Sequence, residues 1–312
     1  MSSPQASATA FAPASVGNVA IGFDILGFAI GALGDKVKVT RRPAPGVEIT
    51  AIRGVVVDIS REPADNTAGR ALLALAEATG PDFGFTVEIE KGIPLGSGLG
   101  GSAASAVGAV VAANALLPRP CTPLELLGFA MAGEAVASGG RHVDNIAPCL
   151  FGGLVLTVGI DHPRVKQIPV PAAIRAVVVH PHMFLATAKA RAILKRQVEL
   201  SDFVWQTANL AGFISGCYTD DLDMIRASLE DVVIEPQRQA LIPGFQGVRR
   251  AALEAGALGC SISGAGPSLF AWATAGAALR VQAAMQGEFA RQDLKTDAWC
   301  FEVGGAGARV LP

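Results

Sequence analysis

Pro94-Leu-Gly-Ser-Gly-Leu-Gly-Gly-Ser102, running straight into Ala103-Ala-Ser-Ala-Val-Gly-Ala109, is a glycine-rich loop that opens onto a helix. Glycines lack a Cβ, so successive backbone N–H groups can turn toward one guest. The first helical turn adds unpaired donors and the positive end of its dipole. Such a cradle suits an anion, and a polyphosphate best. It is not a Walker loop, which needs Lys immediately before its final Ser or Thr, where Gly101 stands before Ser102. Gly96, Gly98 and Gly101 do spell G-x-G-x-x-G, but a dinucleotide fold runs a strand directly into the first glycine and places a second strand after the helix. Here Lys91-Gly-Ile-Pro-Leu95 separates the alternating residues 85–90 from Gly96, and Pro118-Arg-Pro120 leads into another helix. A nicotinamide oxidoreductase is therefore disfavoured. A turn that merely introduced a buried helix would need fewer glycines and serines.

The 312 residues are 51% hydrophobic and 17% charged, enough for a large core and two domains. A net charge of −2 with scattered basic residues lacks the electrostatic footprint of a nucleic-acid binder. Residues 103–117 fall short of a membrane span and include Ser105 and Asn114, so they read as a buried helix. Residues 1–9 are polar, without Lys, Arg or an apolar segment, and read as a frayed tail and not as a secretory signal. Five widely spaced cysteines without a C-x-x-C pair fit a reducing cytoplasm better than disulfides or structural zinc.

Alternating or β-branched residues predict strands over 36–40, 47–52, 55–59 and 85–90, then helices over 64–78, 102–117 and 123–137, the last capped by Thr122. A strand over 151–158 follows, and the prolines and charges of 161–171 mark a boundary. Two domains are expected, 10–165 with the phosphate loop and 166–312. In the second, strands are expected over 175–179, 258–262, 268–273 and 295–303, and helices over 188–196, 202–218, 221–230, 245–255 and 275–289. The mixed order without a regular βαβ repeat predicts an α+β protein.

The chain has neither a G-x-S-x-G elbow nor H-E-x-x-H, so common hydrolase mechanisms are set aside. His180 and His182 lie just after a strand, where a loop role is as reasonable as a metal. A second glycine loop, Gly259-Cys-Ser-Ile-Ser-Gly-Ala-Gly-Pro-Ser268, is either a wide turn built on Gly264 and Gly266 or a backbone wall closing over phosphate or substrate. Residues 11–28, with Asn18 and Asp24, and 133–148, with Glu134, His142, Asp144 and Asn145, add polar groups where apolar packing would be expected. A carboxylate facing a phosphate cradle is the usual way to hold Mg²⁺, which prefers oxygen ligands.

In this order the segments resemble the GHMP kinase superfamily over about residues 11–311, and most closely its homoserine kinase branch. Residues 94–105 resemble the family phosphate loop, 12–28 its N-terminal motif and 262–270 its C-terminal glycine motif. Gly133-Glu134, residues 142–153, Thr187 through Leu194 and Glu235-Pro-Gln-Arg238 look like the homoserine kinase branch. Gly101 departs from the pattern, since the family usually places the first serine of a Ser-Ser pair there.

The resemblance implies a two-domain fold, its N-terminal half like ribosomal protein S5 domain 2 and its C-terminal half ferredoxin-like, and MgATP-dependent phosphorylation of L-homoserine for threonine biosynthesis by a cytoplasmic homodimer. ATP would lie on Pro94, Leu95, Gly96, Ser97, Gly98, Leu99, Gly100, Gly101, Ser102, Ala103 and Ser105, with Gly264 and Gly266 closing over it. Ser102 and Glu134 would hold Mg²⁺. Arg191 and Arg238 would clamp the substrate carboxylate, guanidinium forks being suited to it, with Asp24 on its ammonium and Asn18 and His142 orienting it. Asp144 is either a general base or, like Asn145, a shaper of the pocket; an ordinary carboxylate near pKa 4 matches an alcohol poorly. Another GHMP kinase acting on a mevalonate-like or sugar alcohol, or a catalytically silent ligand-binding relative, are the alternatives.

Overall fold

The computed structural model describes residues 6–138, 143–159 and 161–312. Its first sheet begins with β1 (Ser7–Gly17), antiparallel to the long β2 (Leu26–Arg42). Residues 7–9 are thus not a frayed tail, for Ser7 pairs with Thr40 and Thr9 with Lys38. Their alternation is written in alanines, too small to register as a hydrophobic stripe. Ala8, Ala10 and Ala12 are nevertheless buried.

β3 (Val47–Gly54), α1 (Thr67–Thr79) and β4 (Gly84–Lys91) form a crossover unit with β3 and β4 parallel. Asn66 caps α1, its Oδ1 accepting from the N–H groups of Ala68 and Gly69 at 3.0 and 3.3 Å. The strand expected over 55–59 is absent. β3 stops at Gly54, whose φ of +101° and whose close approach to the Lys91 carbonyl, 2.1 Å from where a Cβ would sit, turn the chain out of the sheet. Val55 and Val57 are exposed beyond it.

α2 (Gly101–Asn114) is apolar nearly all round and lies in the middle of the domain, on β1, β2 and β4 and against α1. α3 (Pro123–Ser138) opens with a capping box in which Glu125 accepts from the Thr122 N–H at 2.6 Å. α4 (Ile146–Phe151) was not foreseen, and the strand expected from residue 151 begins later, as β5 (Leu154–Val158), because Gly152 and Gly153 make the turn. β6 (Arg164–Ile168) pairs with β5 in the same sheet.

The second sheet is antiparallel. Its elements are β7 (Ile174–Pro181), α5 (Thr187–Ala192), α6 (Leu200–Thr219), α7 (Leu222–Ser228), α8 (Glu235–Arg238), α9 (Phe245–Glu254), β8 (Ala257–Ile262), β9 (Leu269–Thr274), α10 (Ala278–Ala290) and β10 (Thr296–Glu302), with strand order β10-β7-β9-β8. The tail returns as β11 (Arg309–Val310) to pair with β1. The chain is an α+β protein, as its segment order implies. Phe28 joins the two halves: its ring lies 5.7 Å from Phe270 and 6.0 Å from Trp272, both in the second sheet. Such aromatic pairs add about 0.5–1.5 kcal/mol beyond their buried area.

Candidate active site

The loop between β4 and α2 is held by its carbonyls. Leu185 N–H donates to Gly96 O at 3.0 Å, and Ser268 donates to Ser97 O from its hydroxyl at 2.6 Å and its N–H at 3.2 Å. The Ser263 hydroxyl donates to Gly98 O at 2.7 Å, Ser15 N–H to Leu99 O at 3.1 Å, and the Lys91 ammonium to Gly101 O at 2.7 Å. In a trans peptide the next N–H points opposite to the carbonyl, so these bonds turn the following amides away from the protein donors. The second glycine loop thereby acts as a clasp on the back of the first, and only Gly264 and Ala265 of it line the cavity. Gly98 is the residue this embrace requires: its φ is +77°, and a Cβ there would lie 2.5 Å from Ser263 O and 2.7 Å from Gly266 O.

In front of the loop lies a cavity of about 390 Å³ lined from both halves of the chain. Of the residues expected at the site, Pro94 through Gly98, Gly100, Gly101, Ser102, Ser105, Asn18, Asp24, Glu134, Asp144, Asn145, Arg191, Arg238 and Gly264 reach it. Leu99, Ala103 and Gly266 stand behind its wall, the side chains of the first two fully buried. His142 falls outside the described residues.

At one end the Ser102 hydroxyl, in the first turn of α2, donates to Glu134 Oε1 of α3 at 2.9 Å. Burial raises the Glu134 carboxyl to about 7, with Asp144 adding to the rise against the Ser102 hydrogen bond and the Lys91 charge. The pair offers two hard oxygen donors beside the phosphate cradle. Among the described residues there is no group of three or more His, Cys, Asp or Glu side chains placed for a metal.

At the other end Asp24 and Arg191 form a two-pronged ion pair, 2.7 and 3.0 Å, joining the β1–β2 turn to α5. Arg238 on α8 is buried beside them, donating to the carbonyls of Ala190 and Gly264, both at 3.1 Å. Both guanidinium groups lie over the Phe23 ring, 5.2 and 5.1 Å from its centre. Asn18 ties this corner to the clasp, donating to Gly264 O at 2.8 Å while its Oδ1 accepts the Asp24 N–H at 3.0 Å. Asn18, Val19, Ala20 and Asp24 all have left-handed φ, a strain that persists only where surrounding contacts over-determine the backbone.

Between the two ends, Asp144 is held up to about 7 by burial first and then by the Asp24 charge, with Arg191 and Arg238 opposing. Its Oδ2 accepts from Asn145 Nδ2 at 3.3 Å, and Asn145 Oδ1 accepts from Ser15 at 2.9 Å. The objection that a carboxylate near pKa 4 is a poor partner for an alcohol therefore loses much of its force at this position. His180, by contrast, lies within β7 and not after it, and bonds Ser268 at 3.0 Å, while His182, just past that strand, pairs with Asp297 of β10 at 2.9 Å.

Sequence reasoning missed several lining residues. Val56, Ile59, Asn66, Thr67 and Phe184 line the cavity with Pro94 and Leu95. They carry no local motif. Phe23 falls within residues 11–28, but nothing in the sequence marks it as a platform for two guanidinium groups. Lys91 and Asp35 did carry a signal, being charged residues in phase with the apolar core faces of their strands.

Family models match both halves of the chain. The GHMP kinases N terminal domain family matches residues 66–153 and the GHMP kinases C terminal family residues 213–291. The chain is 50% identical over 305 residues to a homoserine kinase of Xanthomonas campestris pv. campestris, covering 97% of this chain and 94% of that protein. It is also similar to the crystal structure of homoserine kinase from Cytophaga hutchinsonii, with TM-score 0.95, 43% identity and coverage of 100% and 99%. The Leishmania major mevalonate kinase in complex with R-mevalonate, at 17% identity and TM-score 0.68 over 98% and 100% of the chains, shares the fold.

Proposed function

The chain belongs to the GHMP kinase family, and within it to the homoserine kinases, and we propose on that premise how its own residues move the terminal phosphoryl group of ATP to the side-chain hydroxyl of L-homoserine. The products are O-phospho-L-homoserine and ADP. One observation carries the assignment of roles: a loop with its carbonyls tied back faces, across one cavity, an Asp–Arg–Arg corner suited to a zwitterion.

The triphosphate lies on the loop amides and the first turn of α2, which stabilise charge without needing to reorganise. The purine and ribose occupy the mouth lined by Val56, Ile59, Asn66, Thr67 and Phe184. Arg191 and Arg238 take the amino-acid carboxylate and Asp24 its ammonium, so the corner selects an α-amino acid over a simple alcohol. The Phe23 ring holds both guanidinium groups from behind. Asn18 fixes the Asp24 backbone so that the bound hydroxyl points down the cavity toward the loop.

Ser102 and Glu134 fit a Mg²⁺ ion, which takes few protein oxygens and completes its shell with phosphates and water. Such an ion would neutralise charge on the transferring phosphates. Phosphoryl transfer through a loose transition state needs little early deprotonation. Asp144, with its raised proton affinity, is suited to receive the hydroxyl proton as the new P–O bond completes.

The proposal extends to a cytoplasmic homodimer working in threonine biosynthesis. The test of function is ADP release measured with MgATP, with and without L-homoserine, beside mevalonate and sugar alcohols. Release that depends on L-homoserine is expected. Faster turnover of a non-amino-acid alcohol, or ATP binding without any phosphorylated acceptor, would refute it.

A further inference from the structure

β4 carries Val87, Ile89 and Lys91 at alternate positions, and all three are buried. On the neighbouring β2, Asp35, Val37 and Val39 do the same. The register that sets Lys36 opposite Glu90 brings Asp35 beside Lys91, one buried charge on each strand. An ammonium has three N–H donors. Lys91 commits them to Asp35 Oδ2, to the Gly101 carbonyl at 2.7 Å and to the Ser105 hydroxyl at 2.8 Å. Ser105 passes its own hydrogen to Asp35 Oδ2 at 2.8 Å, and Asp35 Oδ1 accepts the N–H groups of Gly92 and Ile93 at 2.9 and 3.3 Å.

The network closes on itself. It runs from β2 through the segment that enters the phosphate loop to the first turn of α2, wrapped closely enough that a Cβ on Gly101 would lie 3.2 Å from Ile93 and 3.6 Å from the Lys91 nitrogen. Lys91 borders the cavity, yet its charge is balanced by Asp35 and its hydrogens are engaged within the protein. Stability alone is a weak reason for such a pair, since apolar residues of similar volume serve as well or better in a core.

We propose that Lys91 is a positioning residue for phosphoryl transfer and not a phosphate ligand: with Asp35 and Ser105 it fixes the Gly101 carbonyl, and so aims the amides at the junction of the loop and α2. This rests on the reading of the loop as the ATP phosphate site. The phosphates common to ATP and ADP feel that junction, and the nucleoside does not.

The test uses the full chain and its Lys91→Gln, Ser105→Ala and Asp35→Asn/Lys91→Gln variants, with calorimetric titration of ATP, ADP and adenosine and a thermal melt of each. Lys91→Gln is expected to weaken ATP and ADP by a common factor of about 10 or more, the scale of a misplaced binding group, with adenosine unchanged. The double variant is expected to recover part of the loss, because a carboxamide pair can rebuild the bonds to Gly101 and Ser105 without stranding a carboxylate. Ser105→Ala, which keeps the ion pair, is expected to show the same equal loss on a smaller scale, and it decides the matter if Lys91→Gln does not fold. A loss confined to ATP would make Lys91 a ligand of the terminal phosphate and overturn the inference. So would folded variants with unchanged nucleotide binding, or adenosine weakened in step with ATP. Failure of the unmodified chain to bind ATP would instead overturn the reading of the loop, and the inference with it.

Discussion

Replacing Glu134 by Gln is expected to stabilise the nucleotide-free protein at pH 8 while removing most of its activity. Burial lifts this carboxyl from 4.5 to about 7, and at about 1.4 kcal/mol per tenfold change in proton affinity that is about 3 kcal/mol. The sign follows from linkage. The folded state binds the proton more tightly than the unfolded one, so the favourable contribution is complete below about 4.5 and is lost as pH rises through about 7. At pH 8 the parent carries the whole cost. Gln keeps a carbonyl for the Ser102 hydroxyl and carries no charge, so the variant escapes it. For a chain of this size the gain corresponds to a rise in Tm of about 5 °C, shrinking to about a quarter of that at pH 5. Added MgATP is expected to stabilise the parent more than the variant, because the cation supplies the charge that the buried carboxylate lacks. Activity is expected to fall by about 100-fold or more, the scale for losing one preorganised electrostatic group. Thermal melts at pH 5 and 8 with and without MgATP, beside the ADP-release assay, decide it. A variant no more stable than its parent at pH 8, or a difference equal at both pH values, would refute the reasoning.

Arg191→Ala is expected to raise the homoserine KM by about 30-fold, the low end of the cost of breaking a charged pair, because the pair with Asp24 is partly open to solvent. Arg238→Met, at a buried site, is expected to cost more, and steady-state kinetics in which both homoserine KM values stay unchanged would contradict the corner's role. Gly98→Ala forces a Cβ into a left-handed position at a cost of about 1–2 kcal/mol before its clash with Ser263 O and Gly266 O is counted. A raised ATP KM and a lowered Tm are expected, and a fully active variant would show that the clasp is not needed. Asp144→Asn is expected to lower kcat about 100-fold with both KM values nearly unchanged. Since the parent carboxyl must lose its proton to act, parent kcat at saturating MgATP, where the cation holds the Glu134 carboxylate ionised, should climb as pH rises through about 7, and a variant that keeps the same acidic limb under those conditions would remove Asp144 from the proton's path.

The phosphate loop was readable because its chemistry is local. Glycines, a helix start and two serines lie within one short segment, and the structure keeps them together on one wall. Element boundaries were less so, for physical reasons that can be named. The alanine alternation of β1 hides a buried strand, and Val55 with Val57 imitate one although Gly54 has already turned the chain out of the sheet. β6 and α4 are too short to show a period, and the polar and proline-rich composition around them reads as loop.

The substrate corner lies at the opposite extreme. Asp24 and Arg191 stand 167 residues apart in the chain; Asp24 shows as a polar group in an apolar segment, but nothing beside Arg191 or Arg238 marks them, so a likeness to known kinases, and no periodicity, pointed to the two arginines. Lys91 and Asp35 occupy the ground between. Each is a charge that falls in phase with buried apolar neighbours on a strand, and such a charge must find its opposite or unfold the sheet. Two of them, on adjacent strands and in phase, predict one another. That rule needs only strand register, which makes the network under the phosphate loop the part of this site that sequence reasoning could have reached without any relative to compare.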